Sequence, residues 1–107
     1  MQTVEMYFND TIEKYRQLKQ ATFLLIDDIP MLSPIEIGSR CGMLTTLQRE
    51  IADDNEQLCL LMEDIGPEIL ETAYIGEYQR AMDKSILACD SLRAEMRVHR
   101  DRMHALS

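Results

Sequence analysis

Two proline-marked interruptions, Ile29-Pro30 through Ser33-Pro34 and Gly66-Pro67, divide the chain into three long segments, and within each the apolar residues return every three or four positions. Proline removes a backbone donor and clashes with the preceding turn, so each interruption ends a helix, and nothing between them forces another break. In the first segment Val4, Phe8, Thr11, Tyr15, Leu18, Thr22, Leu25 and Ile29 form one stripe, which predicts a helix over 4–29. Thr3 is placed to cap it, and Pro30 stops it. The second opens on Ser33-Pro34-Ile35-Glu36, where Ser accepts from a free backbone N–H, Pro occupies the first helical position and Glu36 reaches back as in a capping box. Ile37, Leu44, Ile51, Leu58 and Ile65 then recur every seventh residue, flanked by Cys41, Leu47, Leu61 and Met62, up to Gly66-Pro67. The third carries Tyr74, Tyr78, Ala81, Ser85, Cys89, Leu92, Met96, His99, Met103 and Leu106 on one face. Gly76 weakens its start by about 1 kcal/mol relative to alanine, so residues 68–73 are a candidate separate turn.

Connections this short leave consecutive helices little choice but to reverse direction. The expected architecture is all-α: one domain, 1–107, of three long antiparallel helices running up, down and up. At about 1.5 Å per residue the helices over 4–29, 34–65 and 68–106 span roughly 39, 48 and 58 Å. The last therefore projects about 10 Å past the 30–33 connection. Met96, Met103 and Leu106, with Val98 beside them, then lack cover from their own chain. Two runs of four apolar residues, 23–26 and 86–89, are too wide for one helix face, which puts Leu24 and Ile86 or Leu87 outside the seam. A fourth helix, from a second copy or a client protein, would bury them.

Charge narrows the partners. The formal net charge of −8 opposes phosphate-backbone binding, which needs clustered cations to displace counterions, so nucleic acid is not expected. The charge is also uneven: residues 33–66 hold seven acids against Arg40 and Arg49, whereas Arg93, Arg97, Arg100 and Arg102 gather near the C-terminus. Cys41, Cys59 and Cys89 are odd in number, far apart and set in helical patterns, as reduced structural cysteines are. No stretch approaches the roughly 18 apolar residues of a membrane span, and the first residues carry no basic leader, so a cytoplasmic location is expected.

Residues for chemistry are scarce. His99 and His104 are the two histidines; one of them four residues from Glu95 does not supply the paired Glu-x-x-His ligands of a two-metal bundle. A phosphotransfer histidine would stand among Lys and Gly, and these stand among arginines. A pocket for two carboxylates would need inward Arg or Lys, which the predicted seams almost lack. Phosphate-loop, Cys-x-x-Cys and nucleophile-elbow motifs are absent. The pairs Asp27-Asp28, Asp53-Asp54 and Glu63-Asp64 point about 100° apart on a helix and read as solvated faces. Asp54 and Asn55 interrupt the second stripe, either partly exposed or buried to fix register. No catalytic residue, cofactor or metal is assigned, and a non-enzymatic role is expected. The eight methionines suit either gap filling, at Met43, Met62, Met82 and Met96, or an adaptable apolar partner surface.

A first helix with Tyr15, Leu18 and Leu25, a turn near Asp28, a second carrying Leu44, Leu47, Glu50 and Ile51, and an amphipathic third helix together resemble the small helical export chaperones of flagellar and type III secretion systems. That resemblance implies an acidic cytoplasmic protein without enzymatic activity whose C-terminal helix engages a client. On this reading Met96, Met103 and Leu106, with Ile86 or Leu87, bury the apolar face of a client helix, and Arg97 and Arg100 orient it. The alternatives are a homo-oligomer, such as a homodimer, in which the same surface pairs with a second copy, and a small helical enzyme, which a pocket of converging Arg, Glu or His would favour.

Overall fold

The computed structural model describes residues 4–65 and 72–106. Among these the chain is helical almost throughout, with no strand: α1 (Val4–Asp28), a single 3-10 turn (Ile29–Met31), α2 (Pro34–Ile65) and α3 (Thr72–Leu106). Of the candidate separate turn at 68–73, residues 68–71 lie outside the described residues, while Thr72 and Ala73 already belong to α3. Gly76 does not break that helix. The Arg80 side chain lies over it, 3.6 Å from where a Cβ would stand.

Local chemistry sets the boundaries. Pro30 converts the end of α1 into the 3-10 turn, closed by the Leu32 N–H donating to the Ile29 carbonyl at 3.2 Å. Ser33 then starts α2. Its hydroxyl accepts from the Glu36 N–H at 3.2 Å and donates to the Glu36 carboxylate at 2.9 Å. Glu36 does reach back, its carboxylate accepting a hydrogen bond from the serine hydroxyl and holding the cap in place.

Direction can be followed from cross-helix pairs. Lys14 meets Asp54 and, fourteen residues on, Asp28 meets Arg40, so α1 and α2 run antiparallel. Tyr78 contacts Asn55, Cys89 contacts Gln48, and Met96 contacts Cys41, so α2 and α3 do too. The result is up, down and up. Its extents, 58 × 22 × 17 Å, and radius of gyration of 17.1 Å describe a rod, since a compact domain of this length would have a radius near 13 Å.

Helix α1 is the shared member: it packs closely along both neighbours, whereas α2 and α3 meet mainly through side chains. Small residues are buried on both α1 and α3, Thr11 and Thr22 on α1 and Ala81, Ser85 and Ala88 on α3. Toward α2 the seam is filled by bulk instead, with Ile37, Leu44 and Ile51 in one core cluster with Ile12, Leu18 and Leu25. The Thr22 hydroxyl is buried without a hydrogen-bond partner among the described residues.

One half of the rod is locked by polar and aromatic contacts. Phe8 and Tyr15 each meet Tyr78 edge to face, with centroids 5.5 and 5.6 Å apart. Asn55 donates to the Tyr15 hydroxyl at 3.0 Å and accepts from that of Tyr78, so one amide of α2 ties α1 to α3. Asn55 and Asp54 are both partly buried, and together they fix register: Lys14 donates to Asp54 at 2.7 Å. Burial, then the neighbouring Tyr15 hydroxyl, hold the Tyr78 phenol well above the ordinary tyrosine range, with Asn55 acting the other way. Lys14 is raised above 10.5 chiefly by its bond to Asp54, against the opposing effect of burial.

Candidate interaction groove

At the other end the helices no longer match in length. Helix α1 ends at Asp28, level with Arg40, while α2 continues back to Pro34 and α3 onward to Leu106. Continuing the Cys41–Met96 register puts Pro34 level with Met103, so α3 outruns α2 by about one turn, roughly 5 Å. The projection is half of what segment lengths alone predict. What leaves the end open is the early stop of α1: past Asp28 the two longer helices have beneath them little more than the 3-10 turn with buried Ile29.

Between them lies a groove of about 720 Å³, walled by Pro34, Ile37 and Gly38 of α2 and by Arg93, Met96, Arg97, His99, Arg100 and Met103 of α3, with Ile29 at its base. A second, smaller depression, about 210 Å³, lies farther along the same helices over Leu18, Ile51, Ile86 and Cys89, and Arg93 borders both. From Ile86 to Met103 the two hollows together span eighteen residues of α3, about 25 Å.

Of the residues singled out from sequence, Met96, Arg97, Arg100 and Met103 come together in this groove, and Ile86 lies in the smaller depression. Leu87 and Leu106 do not line it. Leu87, one position on from Ile86, is exposed on another side of α3, and Leu106 is 84% exposed at the tip. Met96 and Met103 remain 37% and 51% exposed. Reading the sequence missed the α2 wall. Its signal lay in Gly38, a helix breaker in an unbroken helix: a Cβ there meets nothing within 4 Å, so no packing demand explains it.

The methionines divide. Met82 packs against the core, but Met43 is 70% exposed and fills no gap, and Met31 and Met6 are exposed as well; the side chain of Met62 lies outside the described residues. The three cysteines are free thiols, Cys41 donating to the Met96 sulfur at 3.8 Å and Cys89 accepting from Gln48 at 3.5 Å. Charge borders the groove on one side. Arg93 pairs with Asp90 at 3.0 Å, while Arg97 and Arg100 form no ion pair among the described residues. No group of three or more His, Cys, Asp or Glu side chains placed to hold a metal occurs among the described residues. No described helix is long and apolar enough to cross a membrane. No protein family matches the chain, and no curated protein or solved structure is significantly similar to it.

Proposed function

We propose that this chain is a non-enzymatic helical binding module that receives an amphipathic helix of another protein in the groove between α2 and α3. The observation that carries the reading is the pairing of an open apolar floor, Ile37, Met96 and Met103, with a lip of Arg93, Arg97 and Arg100. Methionine adapts to differently shaped apolar partners, and the two hollows together match the length of a helix of four to five turns. The complementary client helix carries apolar residues at i, i+3, i+4 and i+7 with carboxylates along one flank. Burial supplies affinity at roughly 25 cal/mol per Å², less the cost of ordering the client. The arginines set orientation and association rate.

A protein of this kind would serve as a small cytoplasmic export chaperone of the flagellar or type III secretion sort, shielding a client helix until its assembly. The second reading, a homo-oligomer, draws on the acidic residues Glu50, Asp53 and Glu56 of α2, which a second copy could present to the same arginines.

Photo-crosslinking separates the two. A photoreactive residue at position 103, in the cells that make the chain, is expected to give one discrete heavier adduct that Met96→Asp abolishes, and none when placed at position 87. An adduct of twice the chain's mass would transfer the groove to a second copy. Equal labelling at both positions would remove the groove from the proposal.

A further inference from the structure

The chain has eleven basic residues against nineteen acidic ones, so a local excess of cations calls for a cause. Lys14 and Arg40 hold helices together through Asp54 and Asp28. Four others, Arg16, Lys19, Arg80 and Lys84, line one hollow of about 630 Å³ between α1 and α3, to which α2 contributes nothing. Arg16 reaches Glu13 only at 4.0 Å, with both side chains more than half exposed. Lys19, Arg80 and Lys84 have no ion pair among the described residues.

Their spacing along each helix is unfavourable by itself. Arg16 and Lys19 stand three apart on one wall and Arg80 and Lys84 four apart on the other, separations at which like charges on a helix repel. Asp27 and Glu77 also line the hollow, leaving it two positive charges in excess. Arg16 and Lys19 are about one turn apart on α1, and Arg80 and Lys84 about one turn apart on α3, so the two charges of each pair lie within the roughly 8 Å screening length of physiological salt. Phe23 and Leu24, both about half exposed, sit at the same hollow over buried Ala81.

We propose that this hollow binds a small organic anion with two or more negative charges at one end and an apolar body at the other, an organophosphate or a dicarboxylate. The oxyanion bridges the α1 cations and the α3 cations, with Arg16 and Arg80 able to engage it in bidentate fashion. The apolar body lies against Phe23 and Leu24. A nucleic-acid strand is disfavoured, because the cations form a short cluster and Asp27 interrupts it. The walls are open to water, which suits binding over the water-excluded chemistry of a catalytic pocket. This inference does not depend on the helix groove, which uses the α2 side of α3.

The test is a titration of the full chain with phenyl phosphate and with phthalate at physiological salt, followed by backbone amide shifts. Saturable shifts are expected at residues 16–27 and 77–84, and whichever probe binds tighter identifies the oxyanion. Lys19→Gln combined with Arg80→Gln should weaken binding by about tenfold or more without lowering the melting temperature, and Arg16→Gln with Lys84→Gln should do the same. Unchanged affinity in both pairs, shifts centred on Arg97 and Arg100, or no saturation by either probe would overturn the site. Inorganic phosphate binding as tightly as phenyl phosphate would overturn the apolar half of it.

Discussion

The two ends of the rod contain the same three-helix material and are held quite differently. Around Tyr78, all three helices are present and their side chains are tied together: Phe8 and Tyr15 on its ring, Asn55 on its hydroxyl, Lys14 on Asp54 nearby. Around Met103, α1 is missing, and the facing walls of α2 and α3 leave an apolar trough. The difference comes from length, 25 residues in α1 against 32 and 35 in its neighbours. Composition contributes little, for both ends are rich in apolar side chains. Specific packing fixes the first end, and a missing turn of helix makes the second available.

Substitutions that respect this contrast should differ widely in effect. The largest is expected at Leu25, fully buried where α1 meets both neighbours: Leu25→Ala should cost about 3 kcal/mol by denaturant midpoint, whereas Met103→Ala, half exposed, should cost under about 0.5 kcal/mol. Similar losses at both sites would erase the distinction between the ends. Asn55→Ala comes next, at about 2 kcal/mol, because it strands two tyrosine hydroxyls. Coupling between Asn55→Ala and Tyr78→Phe in a double-mutant cycle would show the bridge directly.

The same cluster sets a pH limit. Tyr78 and Lys14 both have folded values above their ordinary ones, so their contributions are complete below about pH 10 and fade as pH rises beyond it. Stability measured from pH 9 to 11.5 should fall, and Tyr78→Phe should flatten that slope. Smaller gains are expected where the fold tolerates a local penalty. Thr22→Val replaces an unpartnered buried hydroxyl with a methyl and should stabilise by about 1 kcal/mol. Gly38→Ala should add up to about 1 kcal/mol from helix propensity, its methyl projecting beside the groove. A loss at Gly38 would mean that the glycine serves its own chain.

Much of the architecture was legible in the sequence. Repetition every three or four residues identified the three helices, and Ser33-Pro34 with Glu36 fixed the start of α2 to the residue. Apolar runs placed Leu24 and either Ile86 or Leu87 outside the seam, and all three are exposed. Axial register was harder, because it depends on pairs such as Cys41 with Met96 that no single helix specifies; hence the overestimated projection. The groove was half readable. Periodicity along α3 named one wall, but the opposite wall belongs to whichever part of α2 faces it, and Leu106 was assigned by stripe alone, past the point where a wall exists. The four cations of the α1–α3 hollow were invisible for the same reason: each lies on an ordinary solvated face until two helices are laid side by side.

Helix α1 acts as a keel. The other two helices grip it more firmly than they grip one another, so a fragment lacking the first 28 residues would lose its large seams together and fall apart, whereas trimming α3 after Arg102 would shorten the trough and spare the frame. Fusing a partner to the C-terminus would therefore be gentle on the fold, and severing α1 would not. A molecule built this way can expose an oily mouth at one end without risking its own unfolding.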